Sequence, residues 1–166
     1  LVLTYVLTGS TPHGASVEPG KDNIGHIADP AFSFGLYPIK APDSVQAALR
    51  TNAENFIVIH LSGREAERKA FPGLSKSYGT DGKKVRMILE NFEKDLKKRR
   101  AWNRELRNRV YVELDRWWSL IVMTAIILQI KRTLDRDAIW RILERIDAIT
   151  GDSTCDRLTR GRTETA

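Results

Sequence analysis

One cysteine, Cys155, is the entire thiol content of the 166 residues. It cannot form an internal disulfide, so no disulfide framework is implied and a reducing compartment is favoured. No histidine lies near it in sequence, which leaves it a tail residue rather than a nucleophile. Histidine is scarce too. His13 and His26, in the neighbourhood of Asp22 and Asp29, match no dense metal motif, and the cysteines of a structural zinc site are missing. Neither Gly-x-Gly-x-x-Gly nor Gly-x4-Gly-Lys-Ser/Thr occurs, so no nucleotide-binding phosphate loop is present. No metal and no cofactor is expected, and nothing amounts to a catalytic signature.

Residues 83–150 contain neither glycine nor proline, whereas every proline and most of the glycines fall in residues 1–82. Sixty-eight residues without a breaker, rich in Leu, Ile, Arg, Lys and Glu, predict helix. One straight helix of that length would reach about 100 Å, too long for a compact domain of this size, so the segment must fold back or protrude. Breaks are expected near Trp102-Asn103, where the apolar series Val85, Leu89, Phe92, Leu96 is interrupted, and near Thr133 to Asp135. Asp135 suits the N-cap of a last helix carrying Ile139, Ile142, Leu143, Ile146 and Ile149, and Gly151 its stop. Residues 151–166 read as a polar, flexible tail.

The first 82 residues read as a small α/β lobe. Leu1 to Leu7 and Phe56 to Leu61 have the composition of short strands. The first segment lacks the basic residues that open a secretory signal, and Leu1 in place of Met reads as a processed, truncated or non-standard start. Between the strands lies a long irregular stretch, 9–42, too long for a plain connection and so a binding loop, an arm or an undetected element. Asp43 with Gln46, and Ser62 with Glu65, have helix-start spacing, and Pro72 ends the second helix. The expected fold is α+β and predominantly helical: an N-terminal lobe of about two short strands and two short helices, then a C-terminal helical hairpin or three-helix bundle.

Charge is unevenly placed. Residues 1–82 carry 7 basic and 8 acidic residues, 83–116 carry 12 and 6, and 117–166 carry 8 and 7, so the excess sits in the middle segment. Within it Lys97, Arg100, Arg104 and Arg107 fall at helical spacings of three, four and three, a row that suits several phosphates. Trp102, if exposed, would add a stacking surface for a base. The plainer reading is a solvated helix face with intrahelical acidic partners and Trp102 in the core. The expected partner is nucleic acid or an acidic protein surface.

Next to this segment runs Trp117 to Ile130, fourteen residues without a charge. Its polar interruptions, Ser119, Thr124 and Gln129, face three directions on a helix, so no side is left for water. The run is expected to be a buried spine or an oligomer contact, with Trp117, Trp118, Ile121, Val122, Ile126 and Ile127 as contact residues. A homo-oligomer or larger complex would form through it. Fourteen residues fall short of the about 20 a spanning helix wants, which makes a membrane-associated or membrane-spanning subunit the alternative.

A second alternative is a small enzyme. His60, Arg64 and Glu65 follow the apolar run Phe56 to Leu61, where open α/β sheets bind ligands, and the Ser62-Gly63 turn offers amides to an anion. Helix capping and a packed histidine account for the same residues. The sequence reads best as a non-enzymatic, intracellular and cytoplasmic binding or assembly protein that meets a polyanion through residues 94–109.

Overall fold

The computed structural model describes residues 1–8, 12–18, 26–28, 43–73 and 79–150, without the side chains of residues 26–28, 44, 80 and 145–150. Five helices are present among them, α1 (Val2–Thr8), α2 (Asp43–Ala70), α3 (Gly79–Phe92), α4 (Leu96–Lys131) and α5 (Arg136–Thr150). Three short strands accompany them, β1 (Gly14–Ser16), β2 (His26–Ala28) and β3 (Thr133–Asp135). The protein is α+β and predominantly helical, as its composition predicts, but the strands are not where the sequence suggests.

Leu1 to Leu7 is not a strand. It forms α1, whose first turn is closed by Tyr5 N donating to Leu1 O at 3.2 Å and whose last carries a bond from the Thr8 hydroxyl to Thr4 O at 2.6 Å. Val2, Leu3, Thr4 and Tyr5 are all buried, and that packing overrides the strand preference of β-branched residues. Phe56 to Leu61 is likewise interior helix. An apolar run of six cannot distinguish a strand from a buried helix, and length decides: α2 extends between Pro42 and Pro72, interrupted only by Gly63. Ala53, Ile57, Leu61 and Glu65, all buried, recur every four residues. Ser62 is therefore no cap, and its hydroxyl donates to Ile59 O at 2.6 Å within the helix.

The chain divides into two compact units, one made of residues 1–34 and 117–166, the other of residues 35–116. This border does not follow the change in glycine and proline content. Helix α4 supplies its residues 96–116 to the second unit and 117–131 to the first.

The second unit is a bundle of α2, α3 and the first part of α4. Trp102 with Glu54, Arg107 with Glu65, and Asp115 with Lys69 advance together along α4 and α2, so these two helices run the same way, with α3 returning beside them. The turn between α3 and α4 is only residues 93–95, and it is here, not at Trp102-Asn103, that the helical segment breaks. Asp95 Oδ1 accepts from Lys98 N at 2.8 Å and caps α4. Beyond it Trp102, Leu106, Val110, Leu114 and Trp117 form an unbroken buried stripe, so Arg99 and Asn103 are flanking residues and the helix has no reason to stop.

The first unit holds a three-stranded antiparallel sheet in the order β2-β1-β3, and two of its strands come from the stretch expected to be irregular. Gly14 pairs with Asp135, and a Cβ at Gly14 would lie 3.2 Å from Leu134 O, so glycine permits this close approach. Helix α4 ends at the expected place. Arg132 takes a left-handed conformation (φ 65°), its N–H closes on Leu128 O at 2.8 Å, and its carbonyl accepts from Val17 N at 3.0 Å. Asp135 Oδ1 then accepts from Ala138 N at 2.7 Å, the expected cap of α5, and Ile139, Ile142 and Leu143 are buried. Residues 151–166, with Cys155 and the expected tail, lie outside the described residues, as does most of 9–42.

Gly63 is exposed on α2, and an added Cβ would meet no atom within 4 Å. Gly63→Ala should therefore stabilise the protein by about 0.5–1 kcal/mol, read as a higher urea midpoint at unchanged slope.

Candidate functional site

The cations singled out by sequence separate by role once their surroundings are known. Lys97, Arg100 and Arg104 are exposed on one side of α4, and none of the three is engaged in an ion pair among the described residues. With Asp95, Leu96 and Ala101 they line a shallow depression of about 550 Å³. Arg107, fourth in the row, is different. Its Nη1 donates to Glu65 Oε1 at 3.3 Å, which ties it into the bundle. Trp102 is not a stacking platform. Only 6% exposed, it donates from Nε1 to Glu54 Oε1 at 3.0 Å, sets its ring edge against Phe92 and lies beneath the Arg50 guanidinium, 4.7 Å from the ring centroid. Its place on the buried stripe with Leu106 and Val110 is the cause.

His60, Arg64 and Glu65 do not close a strand; they sit in the middle of α2. His60 Nδ1 lies 2.8 Å from Asp81 Oδ1, and its ring packs on Phe56 with centroids 4.2 Å apart. Glu65 is fully buried, with 0% exposure. Its Oε2 accepts from Arg68 Nη1 at 3.1 Å and from the Tyr111 hydroxyl at 2.8 Å, and its Oε1 accepts from Arg107. A carboxylate saturated by two guanidiniums and a phenol is a structural tie between α2 and α4. The Ser62-Gly63 segment is internal helix, so its amides are not a turn that could hold an anion.

A second concavity, of about 920 Å³, lies between α3 and α4 and was not foreseen. Lys83, Arg86 and Arg99 line it with Arg100, and Val85, Leu89 and Leu96 supply apolar wall. Its acidic member, Glu90, lies 3.8 Å from Arg99. No sequence spacing marks this set, because Lys83 and Arg86 join the α4 cations only through the packing of α3 on α4. Charge divides with the units. By sequence, residues 35–116 hold 18 Lys and Arg against 11 Asp and Glu, a net of +7, and the remaining residues hold 9 against 10, a net of −1.

The apolar run 117–130 is not enclosed on all sides. Trp117 and Thr124 are buried and Trp118, Ile121 and Ile127 half-buried, but Val122 and Met123 are exposed, with Ile126 at 54% and Ile130 at 74%. It is thus a spine on one face only. The run is one stretch of a 36-residue helix bounded by Arg116 and Lys131, and among the described residues no helix is long and apolar enough to cross a membrane. The run 117–130 therefore does not by itself make a membrane-spanning helix. His13 is exposed just before β1, and His26 lies in β2 with its side chain outside the description. Among the described residues no three His, Cys, Asp or Glu side chains gather as metal ligands.

The chain matches no family model, and no curated protein or solved structure is significantly similar to it.

The Glu65 tie has a measurable signature. Arg107→Met leaves a buried carboxylate short of a partner and should cost about 3 kcal/mol of unfolding free energy. Adding Glu65→Leu should restore at least half of that loss, because an apolar pair no longer carries a buried charge. A single Arg107→Met variant as stable as the parent would mean that the tie contributes nothing.

Proposed function

We propose that the protein is a non-enzymatic binding or assembly protein that contacts nucleic-acid phosphates through Lys97, Arg100 and Arg104. The observation that carries this reading is the grouping of three exposed cations, engaged in no ion pair among the described residues, on one side of α4. They belong to the unit that holds the whole positive excess of the chain. Guanidinium and ammonium groups so placed gain counterion release on meeting a polyanion, and their long-range field speeds encounter. Arg107 is left out of the contact set because Glu65 holds it, and Trp102 because it is buried.

Salt dependence tests the proposal. Affinity for a labelled oligonucleotide, followed by fluorescence anisotropy, should fall by about 0.7–0.9 log unit per phosphate contact for each tenfold rise in salt. Replacing Lys97, Arg100 and Arg104 together by Ala should weaken binding and lower that slope by about two to three. No binding at low salt, or binding undiminished in the triple variant, would refute it.

The exposed side of 117–130 favours a second reading, self-association of two copies along this helix. Met123, Ile126 and Ile130 recur at spacings of three and four, the pattern of a helix-pair seam. The fourteen residues carry no charge, so two identical copies meet without like charges opposed within the run. Ile126→Lys should then convert a sedimenting dimer to monomer, whereas a parent chain that stays monomeric at high micromolar concentration excludes the contact.

A further inference from the structure

The two concavities of the second unit share a boundary. Leu96 and Arg100 line both the shallow depression with Lys97 and Arg104 and the larger cleft with Lys83 and Arg86. A continuous track therefore leads from exposed cations past an apolar lip into a larger concavity with cationic lining. Leu96, at 51% exposure, forms that lip, while Val85 and Leu89 within the cleft are buried.

A surface of this kind complements a chain that alternates anions with exposed apolar discs. In a duplex the base faces are stacked on one another and the edges are paired, so a rod would meet only the cations and leave the exposed Leu96 uncovered. An unpaired strand offers both parts: its phosphates suit the cations, and a freed base can leave solvent against Leu96. The concavity, of about 920 Å³ and open to solvent, has room for one nucleotide on its surface.

Resting on the phosphate-contacting role above, we propose that the second unit selects single-stranded nucleic acid. Lys97, Arg100 and Arg104 hold backbone phosphates, and the cleft beside Leu96 receives an unpaired base, with Lys83 and Arg86 along its lining. No aromatic residue is found among the cleft's described lining, so the base packs against Leu96 and the stems of the lining cations rather than on a ring.

The test uses the full chain and three probes of equal length in anisotropy titrations at low salt: a single strand, its duplex, and a single strand whose central residues are abasic. The single strand should bind at least tenfold tighter than the duplex, and the abasic strand, with the same phosphates but no bases at its centre, at least fivefold weaker than the intact one. Leu96→Asn, a neutral change at an exposed position, should erase most of the difference between intact and abasic strands. Equal binding of all three probes, or tighter binding of the duplex, would overturn the single-strand proposal while leaving the phosphate contacts standing. Absence of binding by every probe would remove both.

Discussion

Glu65 is the residue on which the arrangement of the second unit turns. A carboxylate with no exposure is costly to bury, and Arg68, Arg107 and Tyr111 help to satisfy it from α2 and α4 together. Apolar stripes alone would tolerate a slide of one helix along the other by a turn. A charge that must meet a guanidinium and a phenol one turn apart on α4 does not. Trp102 with Glu54, Arg109 with Asn55, and Lys69 with Asp115 add further polar contacts between the two helices. The exposed cations Lys97, Arg100 and Arg104 inherit their position from this match.

The distribution of cations follows from that division of labour. Arg50 covers Trp102, Arg109 donates to Asn55 at 2.8 Å, and Arg99 lies near Glu90, so much of the arginine content is invested in holding side chains and helices in place. Among those left exposed, Lys97, Arg100 and Arg104 lie along one side of α4, and Lys83 and Arg86 on α3 line the cleft beside Arg100. Guanidiniums are suited to both tasks, because their planar fork serves a carboxylate and a phosphate alike. A count of basic residues overstates the surface open to a polyanion.

Much of the helical half is legible in the sequence for plain reasons. A segment without glycine or proline has nothing to end a helix, and Asp135 ahead of Ile139, Ile142 and Leu143 announces α5 by capping chemistry and spacing. The extent of α2 was equally available, since no proline separates Pro42 from Pro72, yet the run Phe56 to Leu61 taken alone reads as a strand. Glu65 at four residues from Leu61 occupies a core position, and that spacing was the available sign of its burial. The strands were not legible. Each has three residues, and β1 finds β3 across most of the chain. Of the candidate surface, Lys97, Arg100 and Arg104 followed from helical spacing, whereas Lys83 and Arg86 belong to it by packing, which no local pattern encodes.

The sheet also sets an order of events in synthesis. The second unit is one contiguous stretch, but the first is built from both sides of it, and the central strand β1 must wait for β3 until all of α2, α3 and α4 has been made. Through that interval one edge of β1 has no β3 to pair with, and an open edge is a template for any other extended segment. The nascent chain is therefore exposed to mispairing throughout that interval, and it leaves that state once Thr133 to Asp135 has emerged from the ribosome.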